Sequence, residues 1–162
     1  MYVCCMTHKL FRLLFCLLPP LFVGYIGGLF TRSSVEIWYQ ELSKSPLTPP
    51  DEVFFPVWTT LYLLMGLSCY LLVEKKQFGP LNFSLYSLQL LLNLSWTYLF
   101  FYLQSPTLGL VDICLLWFVI GMMIRSFIHS NKAAGFLQIP YFLWVTFAAY
   151  LNFEIWRLNY AG

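Results

Sequence analysis

Long continuous runs of apolar residues constrain the fold of this chain most. Each run is close to the length that an α-helix needs to cross a membrane, about 20 residues at 1.5 Å of rise per residue. Short polar stretches such as Glu74-Lys75-Lys76 and Ser130-Asn131-Lys132 separate the runs. A lipid-facing β-barrel strand would instead alternate apolar and polar residues over about ten positions. The pattern therefore predicts membrane-spanning helices.

The scarcity of charge excludes most other classes of protein. Only 10% of the 162 residues are charged, 60% are hydrophobic, and the mean hydropathy is +0.71. Because a soluble domain carries about 25% charged residues, these side chains are too few to cover a soluble surface. A net charge of +2 and the absence of a run of basic residues also argue against nucleic-acid binding, because such binding needs Lys and Arg side chains to neutralise phosphates. We expect an integral multi-pass membrane protein with no nucleic acid as partner.

The runs predict an all-α integral membrane protein, a single five-transmembrane-helix bundle over residues 1–162. The approximate spans are 10–31, 53–73, 81–103, 108–128 and 133–158. Short connections after the second, third and fourth spans make sequential helices antiparallel neighbours. The polar stretch 32–52 is the one long connection, and a loop of this length is typical of a functional lid.

Lysine and arginine placement predicts the orientation of the bundle. Six of the nine lie with the N-terminus and the second and fourth loops, and three lie on the opposite side with the long first loop. Lys9 and Arg12 before the first apolar run resemble the basic flank of a signal peptide. Since that run is too long and no A-x-A-like cleavage site follows, we expect it to be the first membrane helix.

Polar and aromatic residues inside the spans identify candidate binding residues, because polar groups are costly in a membrane. They recur at three- and four-residue spacings, which place them on one face of each helix. The three stripes are Trp58, Tyr62 and Met65 or Gly66; Gln89, Asn93 and Trp96; and Tyr141, Trp144, Ala148 and Asn152. Such faces predict an apolar, flat-walled pocket with a few hydrogen-bonding groups. The alternative is that the amides bond across helices and the tryptophans lie at the membrane interface.

Conventional catalytic and metal sites have little support in the sequence. There is no Ser-His-Asp set or phosphate loop, His8 and His129 are far apart, and the five cysteines include no C-x-x-C pair. We therefore expect no metal and no required cofactor.

Three further features have simple structural interpretations. Asp112 at the start of the fourth span suits the positive end of a helix, and Glu154 and Arg157 are spaced for a local ion pair. Gly24 and Gly28 form a G-x-x-x-G motif, which permits close helix packing within the bundle or in a dimer.

The spacing of aromatic, proline and asparagine residues resembles that of a known family. The segments that carry the resemblance are WYQELSKSPLTPPDEVFFPVW, TLYLLMGLSCYL, LQLLLNLSWTYLFF and PYFLWVTFAAYLNFEIWRLN. Together they are similar to the translocator protein family, also called the tryptophan-rich sensory protein or peripheral benzodiazepine receptor family. The resemblance covers about residues 20–159.

The resemblance implies a five-helix bundle, often a homodimer, with a ligand cavity closed by the long first loop. Its ligands are tetrapyrroles such as protoporphyrin IX, sterols, and synthetic isoquinoline carboxamide or benzodiazepine compounds. The pocket residues that it implies are Trp58, Tyr62, Asn93, Trp96, Trp144, Ala148 and Leu151. Trp58 and Trp144 match tryptophans linked to light-dependent porphyrin breakdown, so they are also the candidate catalytic residues.

The chain departs from the animal members of that family at several positions. Leu47 and Thr48 stand where animal members have Trp-His, and Leu108 replaces a pocket tryptophan. Phe153 replaces the tyrosine of the sterol motif, which weakens the expectation of sterol binding. The departures favour a bacterial membrane over the mitochondrial outer membrane of a eukaryote.

The sequence thus predicts a membrane receptor for porphyrins and similar flat hydrophobic ligands. Trp96 and Trp144 are expected to stack on the ligand, while Asn93 and Tyr62 supply polar contacts. One alternative is a light-dependent porphyrin-degrading enzyme. A porphyrin or sterol transporter is a further alternative, although the internal repeats common in carriers are absent from the sequence.

Overall fold

The described part of the chain consists of helices and their connections. A computed structural model describes residues 2–160, with the side chains of 8–32 and 34–160, and this part contains no β-strand. The elements are α1 (Tyr2–Glu36), α2 (Trp38–Glu41), α3 (Asp51–Glu74), α4 (Pro80–Thr97) with a following π-helical turn (Tyr98–Tyr102), α5 (Pro106–Ser130), α6 (Lys132–Phe136) and α7 (Ile139–Tyr160). The prediction of an all-α protein is confirmed.

Four segments of the described chain are long and apolar enough to cross a membrane. They are His8–Arg32, Asp51–Glu74, Pro106–Ser130 and Lys132–Tyr160. The segment α4 is not among them, because Asn82, Gln89 and Asn93 interrupt its apolar sequence. The count of five spans therefore stays a prediction.

The connection predicted at 32–52 is partly helical. The helix α1 continues to Glu36, the short helix α2 follows after Ile37, and residues 42–50 are the one longer stretch without helix. The ring of Trp38 lies 5.6 Å from that of Phe100, and the ring of Tyr39 is buried beside the same turn. This packing orders a segment that sequence pattern alone assigned to a loop.

The predicted last span, 133–158, is divided in the structure. A turn at residues 137 and 138 separates α6 from α7, yet Phe142 N–H still donates to the Gln138 carbonyl at 3.0 Å. Pro140 is the second residue of α7, where the missing N–H of proline is tolerated.

The helix α1 packs directly against α3 at Gly66. A Cβ atom added at Gly66 would lie 2.8 Å from the Cα of Leu17, so only glycine permits this approach. Outward side chains of α1 such as Phe11 and Phe15 are exposed, whereas Met65 and Tyr141 are wholly buried. The outer face is thus apolar, as expected of a surface in contact with lipid.

Candidate ligand-binding cavity

A cavity of about 460 Å³ lies between α1, α3 and α4. Its volume falls within the range of about 300–1,000 Å³ that is usual for small-molecule sites. The lining residues are Gly24, Gly27, Gly28, Thr31, Arg32, Val35, Glu36, Tyr39, Asp51, Phe54, Phe55, Trp58, Tyr62, Trp96, Thr97 and Phe101. Aromatic side chains contribute much of its wall.

The rings of three lining residues are joined through Trp58 on the α3–α4 side. Trp58 stacks on Tyr62 with a centroid separation of 5.6 Å and an interplanar angle of 27°. Trp58 also lies 6.4 Å from Trp96, at an interplanar angle of 31°. The three rings therefore form a continuous surface, here called the aromatic wall, suited to a flat apolar ligand.

A buried hydrogen-bond chain behind the aromatic wall fixes Tyr62. Its hydroxyl donates to Asn93 Oδ1 at 2.9 Å, and Asn93 Nδ2 donates to the Tyr141 hydroxyl at 3.2 Å. Because Asn93 and Tyr141 are almost completely buried, this chain satisfies polar groups that water does not reach.

A second hydrogen-bond chain fixes Trp96. Its indole Nε1–H donates to Asn152 Oδ1 at 3.1 Å, while Asn152 Nδ2 donates to the Pro106 carbonyl at 2.8 Å. The carbonyl belongs to the first turn of α5, so one asparagine of α7 joins three helices. The amides thus do bond across helices, and in doing so they hold the cavity rings.

The opposite wall comes from α1 and depends on glycine. A Cβ atom at Gly24 would overlap the ring of Tyr62, whereas one at Gly28 would meet nothing within 4 Å. The first glycine allows α1 to approach the aromatic wall, and the second faces open space. The G-x-x-x-G motif, interpreted from sequence as a packing motif, therefore also lines the cavity.

The π-helical turn joins the two walls. Its Phe101 lines the cavity, and the Phe101 carbonyl accepts a hydrogen bond from Ser34 Oγ at 2.6 Å. A π-helical turn is a rare element that is often found at functional sites. Here it ties the end of α1 to the end of α4.

The mouth of the cavity is charged and lies where α1 ends and α3 begins. Arg32, Glu36 and Asp51 line it together with Tyr39. Gln40 Nε2 donates to Asp51 Oδ2 at 2.7 Å. Burial of the Tyr39 hydroxyl, with a smaller effect of the Asp51 charge, raises the pKa of Tyr39 to about 12, so this phenol stays neutral near pH 7.

Comparison with known proteins decides the family. The model of the TspO/MBR family matches residues 15–157. The chain belongs to the TspO/MBR family. It is 40% identical to the "Tryptophan-rich protein TspO" of Chlorobaculum tepidum over 157 residues, which is 95% of this chain and 99% of the relative.

Relatives of this TspO/MBR protein also occur in archaea and animals. Identity to the "Tryptophan-rich protein TspO" of Archaeoglobus fulgidus is 38% over 152 residues, covering 93% of this chain and 99% of the relative. Identity to the "Translocator protein" of Bos taurus is 34% over 151 residues, covering 90% and 88%. The predicted family and the prediction of a membrane protein are confirmed.

In this TspO/MBR protein only some of the predicted pocket residues line the cavity. Trp58, Tyr62 and Trp96 line it, but Asn93 lies behind Tyr62 and is occupied by two tyrosine hydroxyls. Ala148 and Leu151, on α7, are buried and do not line it. The inward stripe of α7 therefore supports the cavity rather than forming its wall.

Trp144 likewise lies outside the cavity. It lines a groove between α3 and α7 with Pro56 and Pro140, and its ring is 5.9 Å from that of Phe54. Phe54 itself lines the cavity, so it separates Trp144 from the cavity space. Within the described residues the indole N–H of Trp144 has no hydrogen-bond partner.

The remaining predicted features lie away from the cavity lining. Asp112 is buried in the second turn of α5, and among the described residues its Oδ2 has no hydrogen-bond partner. This position differs from the predicted helix cap near the headgroups. The predicted ion pair is confirmed, with Arg157 Nη2 at 2.8 Å from Glu154 Oε2.

Sequence reasoning missed the wall formed by α1 and the phenylalanines of the cavity. Gly27 and Thr31 belong to the predicted first span, where a stripe of rings and amides was absent, and Arg32 directly follows that span. The sequence did contain one indication of this wall, because the three glycines of α1 leave one side of the helix without side chains.

Proposed function

We propose that this protein is a membrane receptor for tetrapyrroles such as protoporphyrin IX and for related flat hydrophobic ligands. The ligand binds between α1, α3 and α4, against the aromatic wall. The names of relatives, "Tryptophan-rich sensory protein" in Cereibacter sphaeroides and "Translocator protein" in Bos taurus, support a receptor or regulatory role. Sterols and isoquinoline carboxamide or benzodiazepine compounds are further candidate ligands.

The observation that carries this proposal is the contact of three rings on one side of a single cavity. Trp58, Tyr62 and Trp96 come from two helices, yet they form one surface with ring separations of 5.6 and 6.4 Å. Buried hydrogen bonds hold Tyr62 and Trp96 in place. A wall that is already ordered loses less conformational entropy when a rigid ligand binds.

The proposed roles follow from this placement. Trp58 and Trp96 stack on the ligand face, and Tyr62 contributes ring contact. Each aromatic pair contributes about 0.5–1.5 kcal/mol beyond the burial of area. Asn93 acts through Tyr62, whereas Trp144 lies outside the cavity and makes no contact with the ligand.

Titration of protoporphyrin IX into detergent-solubilised protein tests the proposal. The Soret absorbance of the porphyrin reports binding, since tryptophan fluorescence changes with the substitutions themselves. We expect the double variant Trp58→Ala, Trp96→Ala to bind about ten-fold more weakly, in line with the loss of two stacking contacts.

Trp144→Ala is the matched control, because it removes an indole outside the cavity. We expect its affinity to stay within about two-fold of the parent protein. Equal weakening by the control and by the double variant would rule out the proposed pocket. Circular dichroism of each variant verifies that the helices are retained.

A second candidate function is light-dependent oxidation of bound porphyrin by molecular oxygen. The observation that favours it is that Trp58, an oxidisable ring, lines the cavity in contact with two others. Illumination should then give a product spectrum that free porphyrin does not give. Loss of that product in Trp58→Phe or Trp144→Phe, with binding retained, distinguishes catalysis from simple bleaching.

We also propose that α4 and the π-helical turn form the fifth membrane span. The continuous stretch Pro80–Tyr102 is helical, and at 1.5 Å per residue its length is about 35 Å, enough for a bilayer core. Cysteines introduced at Gln77 and Gln104 should then react with an impermeant thiol reagent from opposite sides of the membrane. Assembly as a homodimer stays a prediction.

A further inference from the structure

The lining of the cavity changes character along the axes of α1 and α3. Asp51 is the first residue of α3, whereas Tyr62 lies eleven residues further along it, about 16 Å deeper at 1.5 Å per residue. On α1, Glu36 is the last helical residue and Gly24 lies deeper. The charged lining residues are therefore confined to the mouth, whereas the aromatic wall lies further inside.

Arg32 is the one cation among the residues that line the cavity, and it has no ion-pair partner in the described chain. Arg12 pairs with Glu74 at 2.9 Å and Arg157 pairs with Glu154 at 2.8 Å, but no carboxylate lies within 4.0 Å of the Arg32 guanidinium. Its exposed guanidinium keeps its hydrogen-bond donors available to a ligand.

The two carboxylates at the mouth, those of Asp51 and Glu36, differ in the groups that stabilise their negative charge. Asp51 accepts a hydrogen bond from Gln40 and lies in the first turn of α3, whose positive end stabilises a carboxylate. Glu36 lies at the last residue of α1, where the helix end is negative. An anionic ligand group is therefore attracted by Arg32 and repelled mainly by Glu36.

We propose that Arg32 binds a carboxylate on the edge of the flat ligand, an inference that rests on the proposed function. The ligand class is then a planar aromatic acid, oriented with its apolar body against the aromatic wall and its acid group at the mouth. A guanidinium recognises a carboxylate through two parallel N–H···O bonds. Arg32 thus determines specificity between acidic and uncharged planar ligands.

Paired titrations of protoporphyrin IX and its dimethyl ester test this role, because the ester keeps the flat body and removes the charge. We expect the parent protein to bind the acid about ten-fold more tightly than the ester. Arg32→Gln should remove that preference and leave ester affinity unchanged. Glu36→Gln should tighten acid binding about two- to three-fold and leave the ester unchanged.

Arg12→Gln is the matched control, since it makes the same change of charge on the same helix at the other membrane surface. It should retain the preference for the acid. Equal affinity of the parent protein for acid and ester, or equal loss of both in Arg32→Gln, would overturn the role of Arg32. Either result leaves the proposed function intact, whereas the absence of binding by both compounds contradicts the proposed function itself.

Discussion

The two walls of the cavity are built differently. On the α3–α4 side, hydrogen bonds from Tyr62 to Asn93 and from Trp96 to Asn152 fix the rings against a buried interior. On the other side, α1 presents small residues and is largely exposed. Of the membrane-length window in α1 only 17% of residues are buried, against 39% in α3.

Under the proposed function, this difference separates the selection of a ligand from its access to the cavity. Buried hydrogen bonds fix the aromatic wall, so we expect this wall to set the shape of the ligand that fits. A smaller share of α1 than of α3 is buried, and the contacts that hold α1 include the close approach at Gly66 and the Ser34 hydrogen bond to Phe101. A segment with few buried residues opens at lower free energy than a core helix. We therefore expect ligands to enter by displacement of α1.

Gly66→Ala should have the largest effect on stability, because it forces α1 away from α3 and the aromatic wall. The added Cβ would lie 2.8 Å from Leu17 Cα and 3.1 Å from the Cys16 carbonyl oxygen, both backbone atoms that cannot rotate aside. We expect a loss of about 1–3 kcal/mol in the free energy of unfolding. Thermal unfolding followed by circular dichroism measures it, with Gly28→Ala as control.

Gly28→Ala should be nearly neutral, since nothing lies within 4 Å of its added Cβ. Equal destabilisation by the two alanines would mean that α1 and α3 do not pack as described.

Asn93→Leu should have the next largest effect, and it acts on the aromatic wall itself. It leaves the buried hydroxyls of Tyr62 and Tyr141 without the partner they share. The expected cost is about 1–2 kcal/mol, given the modest value of side-chain hydrogen bonds within membranes. Unfolding by a graded mixture of denaturing and native detergent gives the measurement.

Tyr62→Phe serves as the comparison for this variant, because it removes one hydroxyl together with its need for a partner. It should cost less than Asn93→Leu. A greater loss in Tyr62→Phe would show that the asparagine does not support the aromatic wall.

Ser34→Ala should have the smallest effect and should act on α1, which forms the wall opposite the aromatic wall. It removes the hydrogen bond from α1 to the Phe101 carbonyl, which is worth about 0.5–1.5 kcal/mol. Amide hydrogen exchange should accelerate in the last turn of α1 and in α2. Thr31→Ala is the control, since within the described residues the Thr31 hydroxyl donates to the Gly28 carbonyl of its own helix and to no other element. Similar acceleration in both variants would contradict a stabilising hydrogen bond between α1 and the π-helical turn.

Along α4 the sequence predicted the buried face correctly, although Trp96 is the one predicted residue of this face that lines the cavity. Gln89, Asn93 and Trp96 share one face in the sequence, and the structure buries all three. The same reasoning failed to separate Trp96, which lines the cavity, from Trp144, which does not. Both are tryptophans on inward-facing stripes, and the intervening ring of Phe54 comes from a different helix.

The sequence by itself determined the helices, their apolar outer faces and the residues that turn inward. These properties depend on hydropathy and on helical periodicity, which are local along the chain. Only the tertiary structure decided which inward faces meet across open space, and it placed Arg32 of α1 opposite the rings of α3 and α4. That outcome depends on how closely pairs of helices approach, and a single glycine such as Gly24 or Gly66 changes the approach without altering the hydropathy of a span.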